Sequence, residues 1–142
     1  MEAAFWDTSS LVPLCIRQAS TPAVQVLSEQ YKMAVWWGTS VELRGAFARV
    51  VRTGQLSANG QVQAQVRLDR MRRNWQEIYP DEPLRERAES LVDRFPLAAG
   101  DALQLAAALA WCMGRPRNRP LIAADAQLLE AAQQLGFRAI QG

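Results

Sequence analysis

The chain contains no histidine among its 142 residues. That absence removes every Ser-His-Asp or Cys-His mechanism, and every histidine-ligated zinc site, in one step. Any hydrolytic chemistry must come from carboxylates. Cysteine is nearly as scarce, since Cys15 and Cys112 are the only two, too few and too far apart for a disulfide framework or a metal knuckle. This favours a reducing cytoplasm. No Walker-type phosphate loop and no dinucleotide fingerprint follows a predicted strand, so nucleotide cofactors are not expected. The longest apolar run, Ala102 to Met113, is interrupted by Gln104 and falls well short of the roughly 20 residues a membrane span requires. No signal peptide is read at the start, where Phe5 and Trp6 run straight into polar Asp7, Thr8 and Ser9. A soluble cytoplasmic protein is expected.

What is present suits one ordinary domain: a hydrophobic fraction of 49% is enough to fill a core in a chain of this length. The net charge of +2 is weak as a sign of nucleic-acid binding. The basic residues are nevertheless unusual in kind, because Lys32 is the sole lysine among sixteen. That bias fits guanidinium forks for phosphate, and it fits codon usage equally well.

Apolar spacing predicts strands at Ala3 to Trp6, Met33 to Trp37, Glu77 to Tyr79 (an edge strand before Pro80), Leu121 to Ala124 and Phe137 to Ile140. Between them it predicts helices over 10–18, 22–31, 41–53 with Gly38, Thr39 and Ser40 as turn and cap, 58–75, 84–95, 101–113 and 126–135. The helix from Asp101 is apolar nearly all round, as expected of a buried element. Strands separated by helices imply a three-layer α/β domain with a parallel sheet of about five strands.

In open parallel sheets ligands bind beyond the carboxyl ends of the strands, and Asp7 and Asp125 each close a predicted strand. Glu42 and Asp101 fall in the first turns of helices and can reach the same rim. Each acid also has a plain structural reading: Asp7 and Asp125 as helix N-caps, Glu42 and Asp101 as partners of a helix dipole. Their joint placement is what carries chemistry. Four carboxylates on one rim repel one another, and a hard divalent cation, magnesium or manganese, relieves that repulsion.

The segments F-W-D-T-S-S-L-V at 5–12, S-V-E-L-R at 40–44, D-A-L-Q-L-A-A-A-L at 101–109 and L-I-A-A-D-A-Q-L-L-E-A-A at 121–132 together resemble the PIN domain, in order and over almost the whole chain. The resemblance implies a PIN-like, flavodoxin-like sheet and a metal-dependent RNA endonuclease, often the VapC-type toxin of a bacterial toxin-antitoxin pair. It makes Asp7, Glu42, Asp101 and Asp125 the metal ligands, and Thr8 or Ser9 a support for the metal's water or a phosphate oxygen. It also implies a homodimer and an antitoxin that blocks the crevice; the second helix and the apolar residues of the 58–75 helix are candidates for its groove or for plain core packing. Two positions depart from the pattern. Gln104 replaces a frequent histidine, which is expected to alter only packing behind the ligands, and Ala123 replaces a frequent hydroxyl residue, which is expected to loosen Asp125 or a substrate contact.

Arg49, seven residues after Glu42 and so on nearly the same helix face, is a candidate phosphate contact or a solvated surface residue. Arg67, Arg70, Arg72 and Arg73 read as a solubilising run, and Arg115, Arg117 and Arg119 belong at the opposite sheet edge. Of the five tryptophans, Trp6 and Trp111 are expected in the core and Trp75 in the core or an interface. Trp36 and Trp37 should point to opposite faces of a strand. Two rivals stand beside the nuclease reading: an inactive PIN fold that only binds, and a phosphoacceptor receiver. The receiver needs paired acids after the first strand and a lysine near the last, and the chain has neither.

Overall fold

The computed structural model describes residues 1–142. The chain alternates as β1 (Glu2–Trp6), α1 (Thr8–Cys15), α2 (Thr21–Gln30), β2 (Tyr31–Trp36), α3 (Thr39–Arg52), α4 (Ala58–Arg72), β3 (Gln76–Ile78), α5 (Glu82–Arg94), α6 (Ala99–Trp111), β4 (Pro120–Ala123), α7 (Ala126–Leu135) and β5 (Arg138–Gln141). The five strands form one sheet in the order β3-β2-β1-β4-β5, and every pair is parallel. The expected three-layer α/β architecture is therefore the observed one. Within it the strand order differs from the 2-1-3-4-5 of flavodoxin itself and places the topological switch between β1 and β4.

Alternation along the strands divides the interior into two cores. Phe5, Ala34, Trp36, Leu121 and Ala123 face α5, α6 and α7, whereas Ala4, Trp6, Val35 and Ile122 face α1 to α4. Helix α6 is walled in by α5 on one side and the sheet on the other, which is why Ala102 and Leu105 to Leu109 are all buried. Cys15 and Cys112 lie in different cores, unpaired and buried, on opposite faces of the sheet. No helix is long and apolar enough to cross a membrane.

Several expected boundaries shift for identifiable reasons. Helix α1 starts at Thr8, earlier than the spacing suggests, because Asp7 itself caps it by accepting from the Ser9 N–H. Helix α3 starts at Thr39, not Val41, with Gly38 at the N-cap and no side-chain cap. Gly38 is required by a neighbour: a Cβ there would lie 2.6 Å from the Trp36 indole nitrogen. Trp36 is buried, but Trp37 lies just past the strand, 49% exposed, and packs edge-on against Trp36 with ring centroids 6.3 Å apart. It enters no helix layer. Trp75 joins the α1 to α4 core, and Trp111 sits half-buried at its rim of the other core under the Arg119 guanidinium, 4.2 Å from the ring centre.

Candidate functional site

The switch point separates the loops that leave β1 and β4, and this opens a cleft of about 450 Å³ at the carboxyl ends of the strands. Asp7 enters it from the end of β1 and Asp125 from the end of β4, one residue beyond Ala124. Glu42 comes from the first turn of α3 and Asp101 from the first turn of α6. All four acids line this one cleft, together with Thr8, Ser9 and Arg49. Every residue singled out from the sequence as a site candidate is thus brought to the same place.

The four carboxylates are held differently. Asp7 is 3% exposed, and its Oδ2 accepts from the Ser9 backbone N–H at 3.2 Å and from the Ser9 hydroxyl. Burial pushes its pKa up to about 6, against the lowering effect of the Ser9 bonds, and the charge of Asp101 adds to the rise. Glu42 is also raised, first by burial and then by the charges of Asp7 and Asp101, while the Gln104 amide opposes the shift. Asp101 is raised by burial and by the charge of Asp125. Asp125 caps α7 by accepting from the Leu128 N–H at 3.0 Å, so its structural role is real whatever else it does.

None of these acids has a cationic partner: the two ion pairs of the protein, Arg85–Glu82 and Arg138–Glu2, both lie elsewhere. Arg49 lines the cleft and is exposed. The all-oxygen donor set, partly buried and self-repelling, is of the kind a hard divalent cation takes. As the side chains stand they are spread around the cleft, and no three gather at a common point. The donor chemistry therefore fits magnesium or manganese, with the carboxylates still to be drawn together.

Two contacts were not legible beforehand. The expectation that Gln104 affects only packing is corrected here, because its Nε2 donates to Glu42 Oε1 at 2.8 Å and to Thr8 Oγ1 at 2.8 Å, with Thr39 Oγ1 at 3.3 Å. The only signal in the sequence was its polar character inside an otherwise apolar helix. The second contact is Ser9, whose hydroxyl accepts from the Ala124 N–H at 2.9 Å while bonding Asp7, so that one side chain ties the β1 and β4 loops together. Beside it the buried Ser10 hydroxyl bonds the carbonyls of Asp7 and Ile122. The remaining basic groups lie apart from the cleft: Arg67 donates to the Cys15 carbonyl at the end of α1, and Arg119 covers Trp111 at the far end of α6.

No family model and no curated protein sequence matches the chain. Three-dimensional comparison does find relatives in shape. PAE2754 from Pyrobaculum aerophilum superposes with a TM-score of 0.68 at 21% identity, over 99% of this chain and 83% of that one. VapBC2 from Rickettsia felis, bound to a DNA fragment from its promoter, gives 0.67 at 12% identity over 98% of both chains. A toxin-antitoxin complex from Klebsiella pneumoniae gives 0.60 at 18% identity over 88% of both. The chain has their fold. It is the PIN-like fold that the ordered sequence segments resemble, and it extends over essentially the whole length.

Proposed function

We propose that this chain is a metal-dependent RNA endonuclease of the PIN type and the toxin half of a toxin-antitoxin pair, acting in the cytoplasm as a homodimer. The observation that carries the reading is the cleft at the strand switch, which Asp7, Glu42, Asp101 and Asp125 all line without an ion-pair partner. These four residues would hold magnesium or manganese, with Asp7 the most deeply buried of them. A bound divalent ion supplies a more acidic water and neutralises charge that develops on phosphate oxygens. The chain itself orients and excludes: Thr8 and Ser9 offer hydroxyls on the cleft wall, and Arg49 offers a guanidinium to a flanking phosphate. No side chain with a pKa tuned as a histidine base is needed, which suits a histidine-free sequence. Two of the structures that share the fold are described as toxin-antitoxin proteins, and this supports an antitoxin as the natural partner.

The test is cleavage of RNA by the purified chain in magnesium or manganese, compared with Asp7→Asn. That substitution keeps volume and the capping acceptor but removes the buried charge. Cleavage should fall by at least roughly 100-fold, since losing even a residue behind a metal ligand costs 10- to 100-fold. Wild-type rates in Asp7→Asn would refute the centre. A second reading, a PIN fold that binds partners without cutting, draws on the spread carboxylates; it requires that neither metal support any cleavage by the wild-type chain.

A further inference from the structure

Gln104 is a part of the cleft wall that packing does not explain. It is 1% exposed on α6, three residues after Asp101, with Thr8, Thr39 and Glu42 around its amide. A carboxylate only accepts, so Glu42 decides which end of the amide faces it, and the N–H end does. The nitrogen has two hydrogens, and the two contacts at 2.8 Å take them. Thr8 Oγ1, having accepted from Gln104, has its own hydrogen for the Glu42 carboxylate, whose charged form it favours together with the amide. The far end of the amide has no partner: Gln104 Oε1 is the one buried side-chain oxygen or nitrogen in the protein left without a hydrogen bond. A buried carbonyl in that state weakens the fold, and an apolar side chain of similar length would fill the same space without the burden.

We propose that Gln104 is a positioning residue of the cleft: its amide bonds both the Glu42 carboxylate and the Thr8 hydroxyl beside it, and so fixes the carboxylate that would bind the metal. The inference rests on the metal-centre reading above, and it adds an uncharged anchor to the carboxylates of the cleft. Residues 8, 42 and 104 come from three different helices, so one amide couples the loop after β1 to the starts of α3 and α6.

The experiment uses the full-length chain with Gln104→Met, which keeps length and loses both donors, and Gln104→Leu as a second apolar variant should the first fail to fold. Three quantities are read: the metal-free unfolding temperature, the affinity for manganese by calorimetry, and kcat and KM on RNA. Gln104→Met should unfold no lower than wild type, while manganese binding weakens about 10-fold or more and kcat falls more than KM rises. In a Thr8→Val background the same change should weaken manganese binding by a smaller factor, because the two residues act as a unit. A lower unfolding temperature with unchanged manganese affinity would make Gln104 a packing residue and overturn the proposal, as would effects of Gln104→Met and Thr8→Val that simply multiply. The manganese arm needs no RNA. A chain that cuts nothing yet loses manganese affinity on Gln104→Met defeats the nuclease reading and supports this one, and a wild-type chain that binds no manganese defeats both.

Discussion

The two ends of the sheet treat charge in opposite ways. At the amino ends of the strands Arg138 donates to Glu2 at 3.1 Å and to the Tyr31 hydroxyl at 3.4 Å, across β5, β1 and β2, with both charged groups largely in water. At the carboxyl ends, Asp7 is buried and three further acids are half-buried, none of them ion-paired, and the one guanidinium on the cleft wall, Arg49, is exposed. The first end is built for the fold alone. The second holds an electrostatic penalty that the sheet has to absorb, and a fold carries such a penalty where a ligand is to relieve it.

The sharpest way to break this comparison is pH. Asp7 has its pKa raised from 3.8 to about 6, so between those values the folded chain binds a proton that the unfolded chain has released. Stability contributed by that proton is present below pH 4 and lost as pH rises through 6. At 1.36 kcal/mol per unit the loss amounts to about 3 kcal/mol. Glu42 and Asp101 shift in the same direction, so they add to the trend. Urea unfolding without divalent ions should therefore show Asp7→Asn matching wild type near pH 4 and exceeding it by up to that amount at pH 7. Saturating magnesium should close the gap by stabilising the wild type selectively. Equal stability of the two proteins across the whole range would remove the penalty on which the comparison stands.

A smaller effect separates the two roles of Asp125. Asparagine caps a helix about as well as aspartate, so Asp125→Asn should leave the unfolding free energy nearly unchanged, whereas Asp125→Ala should lose roughly 0.5 to 2 kcal/mol. Both should weaken manganese binding. If Asp125→Asn keeps full metal affinity, this residue is a cap only and the centre reduces to Asp7, Glu42 and Asp101.

The smallest effect belongs to the amino end. Removing the exposed Arg138–Glu2 pair by Glu2→Gln should lower the unfolding temperature only slightly at low salt and less in high salt. Metal affinity should not move at all. A stability change as large as the one predicted for Asp7→Asn, or any loss of manganese affinity, would mean that the two ends are not electrostatically independent.

Sequence reading reached the fold because its signals are local: an apolar run that stops at Asp7, another that stops just before Asp125, and a helix expected from Asp101 that is apolar nearly all round. It placed the four acids on one rim, where the structure has them, because strand ends and first helical turns are positions that spacing reveals. It did not reach the role of Gln104, whose partners Thr8 and Glu42 lie 96 and 62 residues away and become neighbours only once β1 sits beside β2 and β4. The starts of α1 and α3 were misplaced because Asp7 and Thr39 carry two duties. Asp7 caps its own helix from inside the cleft, and the Thr39 hydroxyl accepts from Gln104 instead of capping. Trp37 was assigned to a strand face, but the strand ends one residue earlier.

The stitch between Ser9 and Ala124, with Ser10 holding the Ile122 carbonyl beside it, spans 115 and 112 residues of chain. Its consequence is one of timing. Contacts of such long sequence separation close late, after the local helices and the β1–β2 pairing have formed. A chain emerging from the ribosome carries Asp7 and Glu42 early, but it cannot bring Asp125 to them until β4 has been made and inserted between β1 and β5. For an enzyme that cuts RNA, as proposed, Asp7 and Glu42 therefore wait on β4, and the cleft has its fourth acid only once that strand has joined the sheet.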